Sequence, residues 1–278
     1  MPMKNQQAGP IGVFDSGYGG LTVFKEIIKK LPQFDYVYLG DNARAPYGVR
    51  SFDTVYEYTL QCVEALFSLH CNLIVLACNT ASAKALRNIQ QKDLPGKKGL
   101  QRVLGVIRPT TELLGELTST GHVGILGTQG TVSSQSYVIE TQKFFPQVKV
   151  YQEACPMWVP LVENREHNSP GADYFVERHI RSLLQQSPEI DTILLACTHY
   201  PLLMEKIKAH TPPHIKVIPQ GEIVAASLED YLRRHPEIDT LCTKGGSRAF
   251  YTTESVEDFN SKANIFLGQP VQASYLHL

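Results

Sequence analysis

The 278-residue sequence has almost no net charge, −1 with histidines neutral, and its 26 Lys and Arg residues are spread along the chain rather than gathered into a patch. That removes the electrostatic footprint of a protein built to hold nucleic acid or an anionic membrane, and it favours a small-molecule partner. Long apolar runs are missing too. None approaches the roughly 20 residues needed to cross a bilayer, and the polar stretch Met1 to Gly9 lacks the apolar core of a secretory signal, so a cytoplasmic protein is expected. Cysteine is sparse. Six residues in a chain of this length are too few for a disulfide framework and are expected as free thiols in a reducing compartment. Most free cysteines are core residues. Cys62, at helical spacing from Val55 and Leu66, and Cys242, beside Leu241 in a short strand-like run, fit that default, as do Cys71 and Cys155.

What the chain does have is a regular alternation of short apolar runs with amphipathic stretches. Ile11 to Phe14 is followed by Leu21, Phe24, Ile28 and Leu31 at helical spacing, and then by Tyr36 to Leu39. Further strands are predicted at Leu73 to Ala77, Val103 to Val106, Val123 to Leu126, Val148 to Tyr151, Thr192 to Ala196 and Ile215 to Ile218. Each is brief and nearly all apolar, as strands covered by helices on both faces must be. The expected class is therefore α/β, with doubly wound parallel sheets.

A weak internal repeat runs through this pattern. Leu73-Ile-Val-Leu-Ala-Cys78-Asn-Thr80 and Thr192-Ile-Leu-Leu-Ala-Cys197-Thr-His199 have one form, each placing a cysteine just past an apolar strand. Upstream of each lies a second matching pair, Gly12-Val-Phe-Asp-Ser16-Gly and Gly124-Ile-Leu-Gly-Thr128-Gln-Gly130-Thr131. Two similar α/β domains related by pseudo-symmetry are expected, each presenting its cysteine at the carboxyl end of its sheet. Packed edge to edge, they would set two thiols across one cleft, which would be the active site.

Two opposed thiols can do what one cannot: remove a proton from one face of a carbon and deliver another from the opposite face. One must then be a thiolate while the other is a thiol, and neighbouring groups must set that difference. Asp15, at the end of the first strand, is placed to assist Cys78, and His199 lies two residues past Cys197. For a single strand-end cysteine, core packing would be an even alternative; the repeat and the polar residues that follow each thiol weigh against it. Asp15 could instead cap the helix beginning at Leu21, and His199 could be a surface residue. The glycines of Asp15-Ser16-Gly17-Tyr18-Gly19-Gly20 suit a tight turn into a helix whose first amides bind an anion such as a carboxylate. A dinucleotide fingerprint, with Asp41 as the ribose-binding acid, is the rival, but Thr22 stands where its third glycine belongs. The loop Asp41-Asn-Ala-Arg-Ala-Pro46-Tyr47-Gly48 reads equally as a surface connection or a binding loop. A Cys197–His199 acyl-transfer dyad, a two-lobed amino-acid-binding protein without catalysis, and a zinc site from Cys78, Cys197 and His199 complete the alternatives, although the last lacks the close ligand spacing of zinc modules.

Asp15-Ser16-Gly-Tyr-Gly-Gly20, Pro46-Tyr47-Gly48, Ala77-Cys78-Asn79-Thr80, Pro160-Leu-Val-Glu163 and Ala196-Cys197-Thr198-His199-Tyr-Pro201 stand in the order and approximate spacing of glutamate racemases, in the aspartate/glutamate racemase family. The chain resembles that family over nearly its whole length. The resemblance implies cofactor-independent and metal-independent interconversion of L- and D-glutamate, supplying D-glutamate for peptidoglycan and so for cell-wall and cell-shape maintenance. It implies that Cys78 acts on the D-enantiomer and Cys197 on the L-enantiomer, with Asp15 and His199 as helpers and Glu163 as a further acid beside Cys197. Substrate binding would fall to Asp15, Ser16, Tyr47, Gly48, Asn79, Thr80, Thr198 and His199, with Thr128 and Thr131 as additions. It also implies a homodimer, and two α/β domains: 1–103 completed by the returning segment 218–278, carrying Cys78, and 104–217, carrying Cys197. The chain departs from the family pattern at Arg108-Pro109, in an apparently lengthened loop from Glu166 to Gly171, and at Gln220-Gly221, none of them at the thiols.

Overall fold

Strands form along the short apolar runs and along two further segments near the end of the chain. These are β1 (Ile11–Asp15), β2 (Tyr36–Gly40), β3 (Leu73–Leu76), β4 (Arg102–Gly105), β5 (His122–Gly127), β6 (Lys149–Ala154), β7 (Thr192–Ala196) and β8 (Lys216–Pro219), followed by β9 (Arg248–Thr252) and β10 (Ala273–Tyr275). Every residue of β1, β2, β3, β5 and β7 is buried. The computed structural model describes residues 6–95 and 99–278. Its chain divides into two compact units, one made of residues up to Val106 together with Gly221–Leu278, the other of Ile107–Gln220.

The first unit holds a six-stranded sheet in the order β10-β9-β2-β1-β3-β4, and the second a four-stranded sheet in the order β6-β5-β7-β8. All the pairings are parallel. Removing β9 and β10 leaves β2-β1-β3-β4, the same permutation as in the second unit. The sequence repeat is thus a repeat of topology, and the architecture is the two-domain, parallel-sheet α/β class expected. β9 and β10 were not expected. They come from the last part of the chain and extend the first sheet beyond β2, pairing Tyr36 with Arg248 and Gly40 with Thr252.

Helices cover the sheets through their apolar stripes. In the first unit the helix Leu21–Lys30 buries Leu21, Val23, Phe24, Ile27 and Ile28 and ends on Lys29 and Lys30, whose charge suits the negative end of the helix dipole. The helix Phe52–Ser68 starts where Ser51 accepts the Thr54 amide and buries Val55, Thr59, Cys62, Val63 and Leu66. In the second unit Ser169 caps the helix Pro170–Gln185, whose apolar side packs on β6. The helix therefore begins inside the segment read as a loop from Glu166 to Gly171. Cys242 is buried as expected, but its strand-like run reduces to a single bridging pair with Gly9. No helix among the described residues is long and apolar enough to cross a membrane.

Candidate active site

In a sheet ordered 2-1-3-4 the chain first winds to one side of its opening strand and then to the other. The crevice this leaves lies at the carboxyl ends of the first and third strands. In the first unit those ends carry Asp15, the last residue of β1, and Cys78, two residues past β3. In the second they carry Thr128, just past β5, and Cys197, just past β7. Topology alone therefore brings each cysteine to the place where its unit can hold a ligand.

At the first of these ends, Asp15 is fully buried and accepts the Gly17 amide at 2.9 Å. The Tyr38 hydroxyl donates to the Gly17 carbonyl at 3.0 Å, so the turn after β1 is held on both sides. Burial, then the charges of Asp15 and Cys78, push the Tyr38 phenol well above its ordinary range and keep it a neutral donor. Gly20 has no room for a side chain, since a Cβ there would lie 2.5 Å from Asp15 Cβ. The cap of the helix Leu21–Lys30 is Gly20, not Asp15. The first amides of that helix are also occupied, Leu21 N–H by the Tyr18 carbonyl at 3.1 Å and Thr22 N–H by the Gly19 carbonyl at 3.0 Å, which removes the basis for reading them as an anion site.

Cys78 is 6% exposed and caps the helix Asn79–Lys84 through its sulfur. The sulfur accepts the Ala81 amide at 3.4 Å and lies 3.5 Å from Ser16 Oγ, to which the thiol donates. Asn79 and Thr80, in the first turn, are buried beside it. Tyr47 behaves differently from the other predicted binders. Its ring is 1% exposed and packs in the core with Phe14, and its hydroxyl donates to Asp41. The side chain faces inward, and the half-buried Gly48 beside it is the more accessible of the two. Asp41 is itself fully buried and engaged, which removes it as a ribose-binding acid.

At the second end, Cys197 is also 6% exposed, followed by the buried Thr198 and His199. His199 Nδ1 stands 4.0 Å from the Cys197 sulfur, and Nε2 stands 3.0 Å from Glu163 Oε1. Burial opposes charge on this imidazole, but hydrogen bonds to Cys197 and Glu163, together with the negative charge of both, outweigh it and raise its pKa to about 10. His199 is thus a buried cation at neutral pH, not a surface residue. Its reach to Glu163 depends on packing. Trp158 and Tyr200, both fully buried, meet edge-on at 4.7 Å between ring centroids and seat the helix Trp158–Glu163 against the turn Tyr200–Leu203. Thr128 caps the helix Gln129–Ser133, accepting the Thr131 amide at 3.2 Å and donating to Thr131 Oγ1 at 3.1 Å. Among the described residues no three His, Cys, Asp or Glu side chains form a group that could hold a metal ion.

The two thiols therefore occupy equivalent positions with unlike neighbours, a hydroxyl and an amide at Cys78, an imidazolium backed by a carboxylate at Cys197. Residues 11–228 match the model of the Asp/Glu/Hydantoin racemase family. The chain belongs to that family. It is an amino-acid racemase. A glutamate racemase of Ruegeria sp. (strain TM1040) is 38% identical over 94% of this chain and 97% of its own. Among solved structures, glutamate racemase isoform RacE1 of Bacillus anthracis superposes with a TM-score of 0.88 at 34% identity, covering 97% of this chain and 98% of that one. The Francisella tularensis glutamate racemase in complex with D-glutamate gives 0.85 at 29% identity, with the same coverage.

Membership of the Asp/Glu/Hydantoin racemase family sets aside the acyl-transfer and non-catalytic readings of these residues. Other groups around the family motifs were not read from the sequence as parts of the site. Tyr38 is one. Gln220 is another: it is buried, and its Nε2 donates to Thr110 Oγ1 at 2.8 Å and to the Tyr137 hydroxyl at 2.7 Å. Burial, and to a smaller degree the charge of Cys197, raises the Tyr137 phenol. Position 220 was noted as a departure from the family pattern, but nothing in the sequence tied it to Tyr137.

Proposed function

We propose that this racemase interconverts L- and D-glutamate by a two-base mechanism in which Cys78 and Cys197 act on opposite faces of the substrate Cα. One sulfur, as thiolate, takes the Cα proton; the other, as thiol, returns its own proton to the opposite face, and the two sulfurs exchange protonation states. Cys78 deprotonates D-glutamate and Cys197 deprotonates L-glutamate. Asp15 assists Cys78, while His199, held as a cation with Glu163, offsets negative charge on the Cys197 sulfur. Ser16, Tyr47, Gly48, Asn79, Thr80, Thr128, Thr131 and Thr198 bind the amino acid, Tyr47 through its main chain. The observation that carries this reading is the pair of equivalent strand-end thiols with unlike partners. The glutamate racemases among the relatives, one of them in complex with D-glutamate, support the choice of substrate.

The Cα proton of an amino acid is very weakly acidic, and general acid–base catalysis supplies only about 10²- to 10⁴-fold. The remainder requires donors aimed at the substrate carboxylate, where charge grows as the carbanion forms. Asn79, Thr80 and Thr198, each directly after a thiol or one residue on, supply such donors. Provision of D-glutamate for peptidoglycan, a cytoplasmic location and a homodimer belong to the same reading. Circular dichroism of L- and of D-glutamate incubated with the purified chain tests it, together with deuterium incorporation at Cα in D₂O. Racemisation should be lost in Cys78→Ala and in Cys197→Ala; full racemisation by either variant would defeat the two-thiol mechanism.

A further inference from the structure

A buried charge is unfavourable unless its partners are fixed around it. Asp41, fully buried and directly past β2, is such a charge outside the chemistry proposed above. Its carboxylate accepts from Arg44 Nε at 2.7 Å, from the Tyr47 hydroxyl, and from Thr253 Oγ1 at 2.8 Å. Thr253 Oγ1 in turn accepts the Ala43 amide at 3.1 Å. Its neighbour Thr252 donates to Asn42 Oδ1 at 3.0 Å. Both threonines are delivered by the end of β9, because β9 pairs in register beside β2.

The far end of the same segment is held by a second desolvated charge. Lys84, 8% exposed, donates from Nζ to the Arg50 carbonyl at 2.6 Å and lies over the Phe52 ring, 4.8 Å from its centroid. Lys84 is the last residue of the helix that Cys78 caps, so this anchor and the Cys78 sulfur sit at opposite ends of one short helix. Between the two anchors the segment is largely open, with Val49 69% exposed. A surface connection with no task does not require a buried carboxylate at one end and a buried ammonium at the other. We infer that Asp41 and Lys84 are positioning residues that fix the Tyr47–Gly48 main chain as part of the substrate site, with Thr253 completing the Asp41 anchor. The inference rests on the glutamate reading given above.

Steady-state racemisation of L- and D-glutamate by the full-length chain, followed by circular dichroism alongside thermal unfolding, tests it. Thr253→Val and Lys84→Met should each raise KM about tenfold, the size of one hydrogen bond to a charged group, with kcat changed by less than about threefold. Thr253→Ser, which keeps the hydroxyl, should restore KM. Asp41→Asn should have a larger effect of the same kind; should it fail to fold, Thr253→Val and Lys84→Met carry the test. Unchanged KM in both of those folded variants would overturn the inference, whether or not they unfold at a lower temperature, as would a fall in kcat at constant KM. Failure of the wild-type chain to racemise glutamate would overturn the substrate reading instead, and is recognised before any variant is made.

Discussion

Cys197 and Glu163 together raise the His199 imidazole, and Glu163→Gln removes the second of these charges while preserving an acceptor at the same place. The hydrogen bond from His199 Nε2 to Glu163 Oε1 is 3.0 Å long, and bonds to charged groups contribute about 1.5–3 kcal/mol. At about 1.4 kcal/mol for each tenfold change, the imidazolium should titrate roughly one to two pH units lower in the variant, from about 10 to roughly 8 or 9. The sign of the stability change follows from linkage. A histidine whose folded pKa lies above its unfolded value stabilises the fold fully below about 6.5 and loses that contribution as pH rises through about 10. Urea unfolding should therefore show Glu163→Gln less stable by about 2 kcal/mol at pH 6 and nearly equal to the wild type above pH ~10. The chain has a single tryptophan, Trp158, which packs against Tyr200 in the second unit and reports unfolding where the change is made. Nuclear magnetic resonance of the His199 ring gives the titration directly. A stability loss equal at both pH values, or a wild-type His199 titrating near 6.5, would refute the reasoning. Because L- and D-glutamate are mirror images with an equilibrium constant of one, any fall in kcat/KM must be the same in both directions.

Gly20→Ala should displace Asp15, since the new Cβ would sit 2.5 Å from Asp15 Cβ; kcat/KM should fall at least about tenfold, with a stability loss of about 1–3 kcal/mol from overpacking, measured by racemisation and thermal melts. Gln220→Leu removes two buried hydrogen bonds, those to Thr110 Oγ1 and to the Tyr137 hydroxyl, so chemical denaturation should show a loss of about 1–3 kcal/mol. Ser169→Ala, which removes the cap of the helix Pro170–Gln185, should cost about 1 kcal/mol by the same measurement and leave racemisation unchanged.

Five of the eight strands expected from the sequence, β1, β2, β3, β5 and β7, are buried throughout, so that burial writes an unbroken apolar run. β9 and β10 escaped notice for the opposite reason. They extend the sheet toward its edge, and residues such as Arg248 and Tyr275 are exposed, which mixes polar with apolar positions. Both thiols were legible because the repeat set them in the same place in each unit. Partnerships across long stretches of chain were not. Glu163 and His199 are 36 residues apart and meet where Trp158 packs on Tyr200. Asp41 and Thr253 are separated by 212 residues, and no periodicity or spacing records that contact. Tyr47 shows a subtler limit: a polar residue in a polar loop reads as a ligand, whereas its ring is core and its hydroxyl belongs to Asp41.

The order of synthesis gives the placement of β9 a further meaning. Every strand of the second unit, β5 through β8, precedes Arg248–Thr252 along the chain, so that sheet can close before the first gains its last two members. During that interval β2 is an open edge and the Asp41 carboxylate has no Thr253 to meet, which makes the nascent first sheet the more exposed to mispairing with another chain. A protein assembled in this order gains its complete Tyr47–Gly48 loop only once β9 has been made.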